Sequence, residues 1–224
     1  VQLSRRTMIG GATMGIGAWA FAPNTAAASS VRFRRRLIDA AATEALEARA
    51  CPGLQIAIAV AGEISVSRAY GVANIETRTA MTEHSVFRIA SITKQLTAAA
   101  LIKLAATGRV DLNAPVARYL PFMERLEAIS PLELMHHTAG LHSDESGAPT
   151  RYGAAASQIA LAEEIAGQSE PFDFPPGTAW LYSNANYIML GAIIEAVTNT
   201  PFSQAMGELV CAPLGLRSTN VDHT

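Results

Sequence analysis

Ser91, Ile92, Thr93 and Lys94 stand in this 224-residue chain as S-x-x-K, a spacing that suits nucleophilic catalysis. Residues three apart on a helix share a face, so the Lys94 amine falls one turn from the Ser91 hydroxyl. A serine hydroxyl is a weak nucleophile until a base takes its proton. A lysine serves as that base when desolvation and the positive end of a helix lower its pKa. Backbone N–H groups at the same helix start would face a developing oxyanion. The competing reading is an N-cap serine with a surface lysine. The chain has only two lysines, Lys94 and Lys103, which makes a chance match less expected.

Tyr182-Ser183-Asn184 is the second constellation. It lies between a Pro175-Pro176-Gly177 turn and a helical pattern, where its side chains would face a cleft. A phenol beside an ammonium loses its proton more readily. Tyr182 would then relay protons between Ser91 and a leaving group. Asn184 would hydrogen-bond a substrate amide. Taken alone, the pair reads sooner as a core tyrosine and a helix-capping asparagine.

His136, His137 and His142 form a third group, three histidines within seven positions. Such a run can mimic a metal-ligand set and so a metal-dependent hydrolase. The preferred expectation is a helix-ending turn whose histidine side chains bond to backbone carbonyls.

The elements that must position these residues follow from pattern. Arg32 to Ala50 reads as an amphipathic helix closed by Pro52-Gly53. Leu54 to Ala61 and Ile64 to Val72 read as a hairpin turning at Gly62-Glu63. Val86 to Ile89 is expected to be a further short strand. Ser91 to Ala106, without glycine or proline, is the best helix, stopped by Gly108. Asn113 to Phe122 is a loop. Ser130-Pro131-Leu132-Glu133 is a capping box that starts a short helix, terminated by Gly140. Further helices are expected over Ala154–Gly167, Asn186–Thr198 and Pro201–Cys211. Strands come early and helices follow in a run, which predicts α+β rather than alternating α/β.

Composition narrows the function classes. Half the residues are hydrophobic and 16% are charged, which excludes a disordered chain. The net charge is −2, so there is no basic field to hold nucleic acid. No dinucleotide fingerprint is present, and no cofactor is implied. Residues 1–28 read as a twin-arginine export signal. Arg5-Arg6 precede a mild, glycine-rich apolar stretch, and Ala26-Ala27-Ala28 fits a cleavage site. Removing them takes away two arginines and no acidic residue, shifting the charge from −2 to −4. The expected partners are the export machinery and a small-molecule or peptide substrate, and the expected compartment is the periplasm or the medium. Such a protein folds in a reducing cytosol before export, so Cys51 and Cys211 are expected to be free thiols.

The segments taken together resemble the serine β-lactamase-like superfamily. Phe87-Arg88-Ile89-Ala90-Ser91-Ile92-Thr93-Lys94-Gln95 resembles its nucleophile segment, and Gly108 to Val116 the stretch that follows. His137-Thr138-Ala139-Gly140-Leu141 is similar to its His-Thr-Ser-Gly turn, with alanine for serine. Pro175-Pro176-Gly177 and Tyr182-Ser183-Asn184-Ala185-Asn186-Tyr187 resemble its second active-site segment. Tyr-x-Asn in place of Ser-Asp-Asn points to the branch of class C β-lactamases, D,D-peptidases and serine esterases. The resemblance implies an antiparallel sheet flanked by helices, plus a mainly helical region. It also implies that Ser91 is acylated, that Lys94 activates Ser91 or steers its proton, that Tyr182 is general base or relay, and that Asn184 contacts substrate. No metal is implied. The family's third motif lies on a strand beyond this point, and residues 1–224 do not contain it. The sequence is therefore expected to be a fragment or a natural truncation with missing C-terminal strands. The alternative function is an inactive penicillin- or peptidoglycan-binding fragment.

Overall fold

The computed structural model describes residues 25–125, 129–142 and 157–221. The paired arginines and the glycine-rich apolar stretch lie outside them. The described residues divide between Ser85 and Val86 into two compact units. Among the described residues no helix is long and apolar enough to cross a membrane.

In the first unit, α1 spans Thr25–Glu47. It begins seven residues before the expected start, because the alanine run at 26–28 continues a helix as readily as it suits a cleavage site. It also ends earlier than expected. Arg49 takes a left-handed φ of 55°, with Arg49 N–H on Leu46 O and Ala50 N–H on Ala45 O. That is a Schellman closure, formed before Pro52 is reached. The expected hairpin is present, with its turn one residue earlier than expected: β1, Gly53–Val60, pairs antiparallel with β2, Glu63–Asn74. Ala61 and Gly62, both at positive φ, make the two-residue turn whose twist matches the strands. A bulge near Ile58 sends the Ser65 hydroxyl onto the Ile58 carbonyl at 3.1 Å. β3, Thr79–Ala80, adds a short third strand. α1 packs on β2, where the Tyr70 hydroxyl donates to Asp39 at 2.5 Å. Burial and that carboxylate push the phenol pKa up to about 12.

The second unit is helical and holds the main core. α2 covers Thr93–Ala106, α3 Pro131–His136, α4 Gln158–Ala166, α5 Asn184–Thr198 and α6 Phe202–Met206. α5 is its centre: every residue from Ala185 to Glu195 except Tyr187 is buried. A helix apolar on nearly every side must be surrounded, and α2, α3, α4 and α6 all pack on it. Two α5 positions depart from the apolar pattern for structural reasons. Glu195 accepts the backbone N–H of Ile159 and of Phe202, each at 3.0 Å. It thereby satisfies one orphan donor at the start of α4 and one at the start of α6. Gly191 lets Gln158 come close, since a Cβ there would stand 2.9 Å from its side chain.

The α+β class and the antiparallel sheet are as expected, and the helical region is present. Val86 to Ile89 is not a strand. Its β-branched residues suit extended backbone, but it forms no strand pairing among the described residues. α5 starts at Asn184, two residues early. The helix expected over 201–211 is a short α6 followed by a π-turn at Gly207–Cys211. Both cysteines are free, Cys211 buried and Cys51 half-buried.

Candidate active site

Each site residue belongs to the second unit and is placed by a helix end. Ser91 lies in a single 3-10 turn, Ala90–Ile92, that leads into α2. It is therefore not the first residue of the α-helix, as the spacing suggested. Lys94 is the second residue of α2, and three residues still bring its Nζ to 3.3 Å from Ser91 Oγ. Ala90, just before the serine, has φ +43°. An L-residue held there costs about 1–2 kcal/mol, and such strain clusters at functional positions. Ser91 is exposed and Lys94 half-buried.

Ser130 caps α3 through the expected capping box. Its hydroxyl accepts Glu133 N–H at 3.2 Å, and Glu133 Oε2 accepts Ser130 N–H at 2.8 Å. The helix does not run to Gly140. It closes at His137, φ +59°, with His137 N–H on Leu134 O and Thr138 N–H on Glu133 O. A histidine thus occupies the Schellman position that glycine ordinarily fills. Gly140, φ +78°, has another task. A Cβ there would stand 2.1 Å from the Phe174 carbonyl, so only glycine lets residues 171–174 lie against this turn. Asp173 N–H bonds to Gly140 O at 2.8 Å, and Gly177 N–H to Thr138 O at 2.8 Å.

Ser183 then leads into α5 as its N-cap in extended backbone, φ −145°, ψ 133°. Extended backbone alternates its side chains. Tyr182 and Asn184 reach Ser91 and Lys94, while Ser183 is fully buried, its hydroxyl donating to the His142 carbonyl at 2.6 Å. Ser183 is an N-cap residue without a capping bond from its side chain.

The expected four residues converge. Tyr182 OH and Ser91 Oγ are 2.7 Å apart. Lys94 Nζ donates to Asn184 Oδ1 at 2.5 Å and lies 4.7 Å from the centre of the Tyr182 ring. Asn184 thus contacts the lysine in this structure. Tyr187, one turn further along α5, presents its ring 5.4 Å from the same ammonium. Burial, and then the Tyr182 phenol, raise the Tyr187 pKa. Its hydroxyl donates to Met135 O at 3.2 Å.

The histidines do not gather into a ligand set among the described residues. His142 Nδ1 pairs with Asp173 Oδ1 at 2.6 Å. His137 is buried beneath Tyr182, ring centres 4.6 Å apart, and its Nδ1 lies 3.3 Å from Ser183 N and 3.1 Å from Asn186 Nδ2. The expected bond from a histidine to a backbone carbonyl is replaced by the reverse. A backbone N–H can only donate, so Nδ1 accepts, and a neutral His137 carries its proton on Nε2. Burial first, then the Lys94 ammonium, lower the His137 pKa below its usual range. Sequence reasoning missed the parts played by His137, Ser183 and Ala90. The advance signal for His137 was its place in the His137-Thr138-Ala139-Gly140 turn.

Residues 38–224 match the family described as Beta-lactamase. The chain is 37% identical over 195 residues to esterase EstB of Burkholderia gladioli, covering 80% of this chain and 50% of that protein. It is 28% identical over 187 residues to a β-lactamase of Pseudomonas fluorescens, covering 83% and 50%. In structure it is similar to EstCE1, a hydrolase with promiscuous acyltransferase activity, with TM-score 0.73 and 24% identity over 84% of this chain and 53% of the other. The chain therefore spans about half the length of the curated relatives it matches. The match across residues 38–224, on a fold that brings Ser91, Lys94, Tyr182 and Asn184 together, makes this chain a member of the Beta-lactamase family.

Proposed function

We propose that the chain carries the nucleophile of an exported serine hydrolase that works through an acyl-enzyme on Ser91. The observation that carries the reading is the 2.7 Å contact of Ser91 Oγ with Tyr182 OH, with Lys94 Nζ 3.3 Å from the same oxygen. As phenolate, Tyr182 takes the Ser91 proton. The freed Oγ bonds to the substrate's acyl carbon, and the carbonyl electron pair moves to its oxygen. Backbone N–H groups at the start of the 3-10 turn supply part of the stabilisation of that oxyanion. When the intermediate collapses, Tyr182 returns the proton to the leaving group. Water then repeats the sequence and releases the acid. The Lys94 ammonium stabilises both the phenolate and the Ser91 oxygen as charge develops.

Esters, β-lactams and acyl-D-Ala-D-Ala peptides all present a carbonyl to this attack. Ester hydrolysis is the first activity to test, because the chain is more similar to esterase EstB than to the P. fluorescens β-lactamase. The full protein should be labelled by a fluorophosphonate probe at Ser91 and should hydrolyse p-nitrophenyl butyrate. Ser91→Ala should abolish both. Unchanged labelling of Ser91→Ala would end the proposal. Covalent capture of penicillin without turnover of any ester or β-lactam would favour a binding module instead. Arg5-Arg6 and the Ala26-Ala27-Ala28 run support the export half of the reading, with the periplasm or medium as destination.

A further inference from the structure

We propose that His137 is a positioning residue for Tyr182, gripping three consecutive residues so that the phenol oxygen meets Ser91. The inference rests on the acyl-enzyme reading above and adds to it a residue that never touches the reacting atoms.

The grip has three parts, each from a different part of one residue. The His137 carbonyl accepts the Leu181 N–H at 3.1 Å. The His137 ring lies under the Tyr182 ring, centres 4.6 Å apart and planes tilted by 33°. Nδ1 accepts the Ser183 N–H at 3.3 Å. Trp180 adds an edge contact to the same ring, with centres 6.3 Å apart. The segment is thus held from residue 180 to 183 by one side chain and its own carbonyl. Tyr182 carries its hydroxyl at the far end of a long side chain, so any tilt of the backbone is amplified at the oxygen. A misplacement of about 1 Å can cost about 10²-fold in rate.

Histidine meets a demand that other residues meet only in part. The position is left-handed, where asparagine, aspartate and histidine are the favoured non-glycine residues. Asparagine offers an acceptor but no ring. Phenylalanine offers a ring but no acceptor. The acceptor must also keep its lone pair, which an imidazolium lacks. Burial and the Lys94 ammonium both favour the neutral ring. Asn186, itself buried, donates to the same nitrogen and steadies the ring from α5.

The test compares His137→Asn, which keeps an acceptor near Nδ1, with His137→Phe, which keeps the ring. Both are made in the full protein and assayed with p-nitrophenyl butyrate, alongside thermal melting and fluorophosphonate labelling. The Phe variant should lose roughly 10²-fold in kcat with KM nearly unchanged, since substrate contacts are intact. The Asn variant should stay within about tenfold of wild type; because asparagine also suits the left-handed backbone better than phenylalanine, kcat is compared well below each variant's melting temperature, where a merely structural role would leave it unchanged. Wild-type kcat in a folded Phe variant would overturn the proposal and leave the acyl-enzyme reading intact. If the Phe variant does not fold, a folded Asn variant down by 10²-fold or more overturns it, and one within tenfold supports it. Absence of Ser91 labelling in the wild type would overturn the acyl-enzyme reading, and this inference with it.

Discussion

Ser91 Oγ and Tyr182 OH lie 2.7 Å apart although 91 residues separate them along the chain. The contact joins the turn before α2 to the segment before α5, and the packing of α2 on α5 holds both. The pair is therefore sensitive to the loss of one atom. Tyr182→Phe removes only the hydroxyl and leaves the ring on His137. We expect kcat/KM for ester hydrolysis to fall by about 10²–10⁴-fold, the usual scale for a lost general base. Melting temperature should change little. A fall of less than tenfold in a folded variant would remove Tyr182 from the mechanism.

His137 makes stability depend on pH. Its pKa is lowered in the native state, first by burial and then by Lys94. Between that lowered value and the usual value of about 6.5, the unfolded chain binds more protons than the native one. Stability therefore rises with pH across this window. The contribution is complete above the unfolded value and is lost as pH falls below it. The urea midpoint should drop from pH 7 to pH 5.5 more steeply in wild type than in His137→Asn, which cannot titrate there. Parallel slopes in the two proteins would show that His137 is not depressed.

Glu195 is a second long-range tie, with one carboxylate serving the N-termini of α4 and α6. Glu195→Ala should destabilise the protein by about 2–4 kcal/mol, since two bonds to a buried charged acceptor are lost. Glu195→Gln keeps one acceptor oxygen and should cost less. Chemical denaturation of the two variants measures the difference. Equal stability of wild type and Glu195→Ala would show that water replaces both bonds without cost.

Export is tested at the other end of the chain. Replacing Arg5 and Arg6 together by lysine should hold the protein in the cytoplasm. Mass spectrometry of the exported wild type should find an N-terminus near Ser29. Normal export of the double-lysine protein would rule out the twin-arginine route.

What the sequence by itself determined was set within a turn or two of chain. Ser91 and Lys94 share a side because three residues make roughly one helical turn, and this survives the replacement of the α-turn by a 3-10 turn. The capping box at Ser130 and Glu133 closes on itself. The hairpin was legible because β-branched runs flank a glycine-bearing turn, although the turn falls at Ala61-Gly62 and not at the expected Gly62-Glu63. The resemblance in order and spacing then brought Tyr182 and Asn184 into one site. Other features depended on groups far apart in sequence. Val86 to Ile89 has the composition of a strand, but a strand exists only where a partner's N–H and C=O groups meet it. α3 closes at His137 instead of Gly140. Gly140 is reserved for the close approach of Phe174, and the left-handed residue serves the segment before α5. Ser183 carries no local signal, since its partners are His137, 46 residues away, and His142, 41 residues away. Only the packing of α3 and α2 on the buried α5 brings such groups within hydrogen-bond reach, and that packing is a property of the folded core.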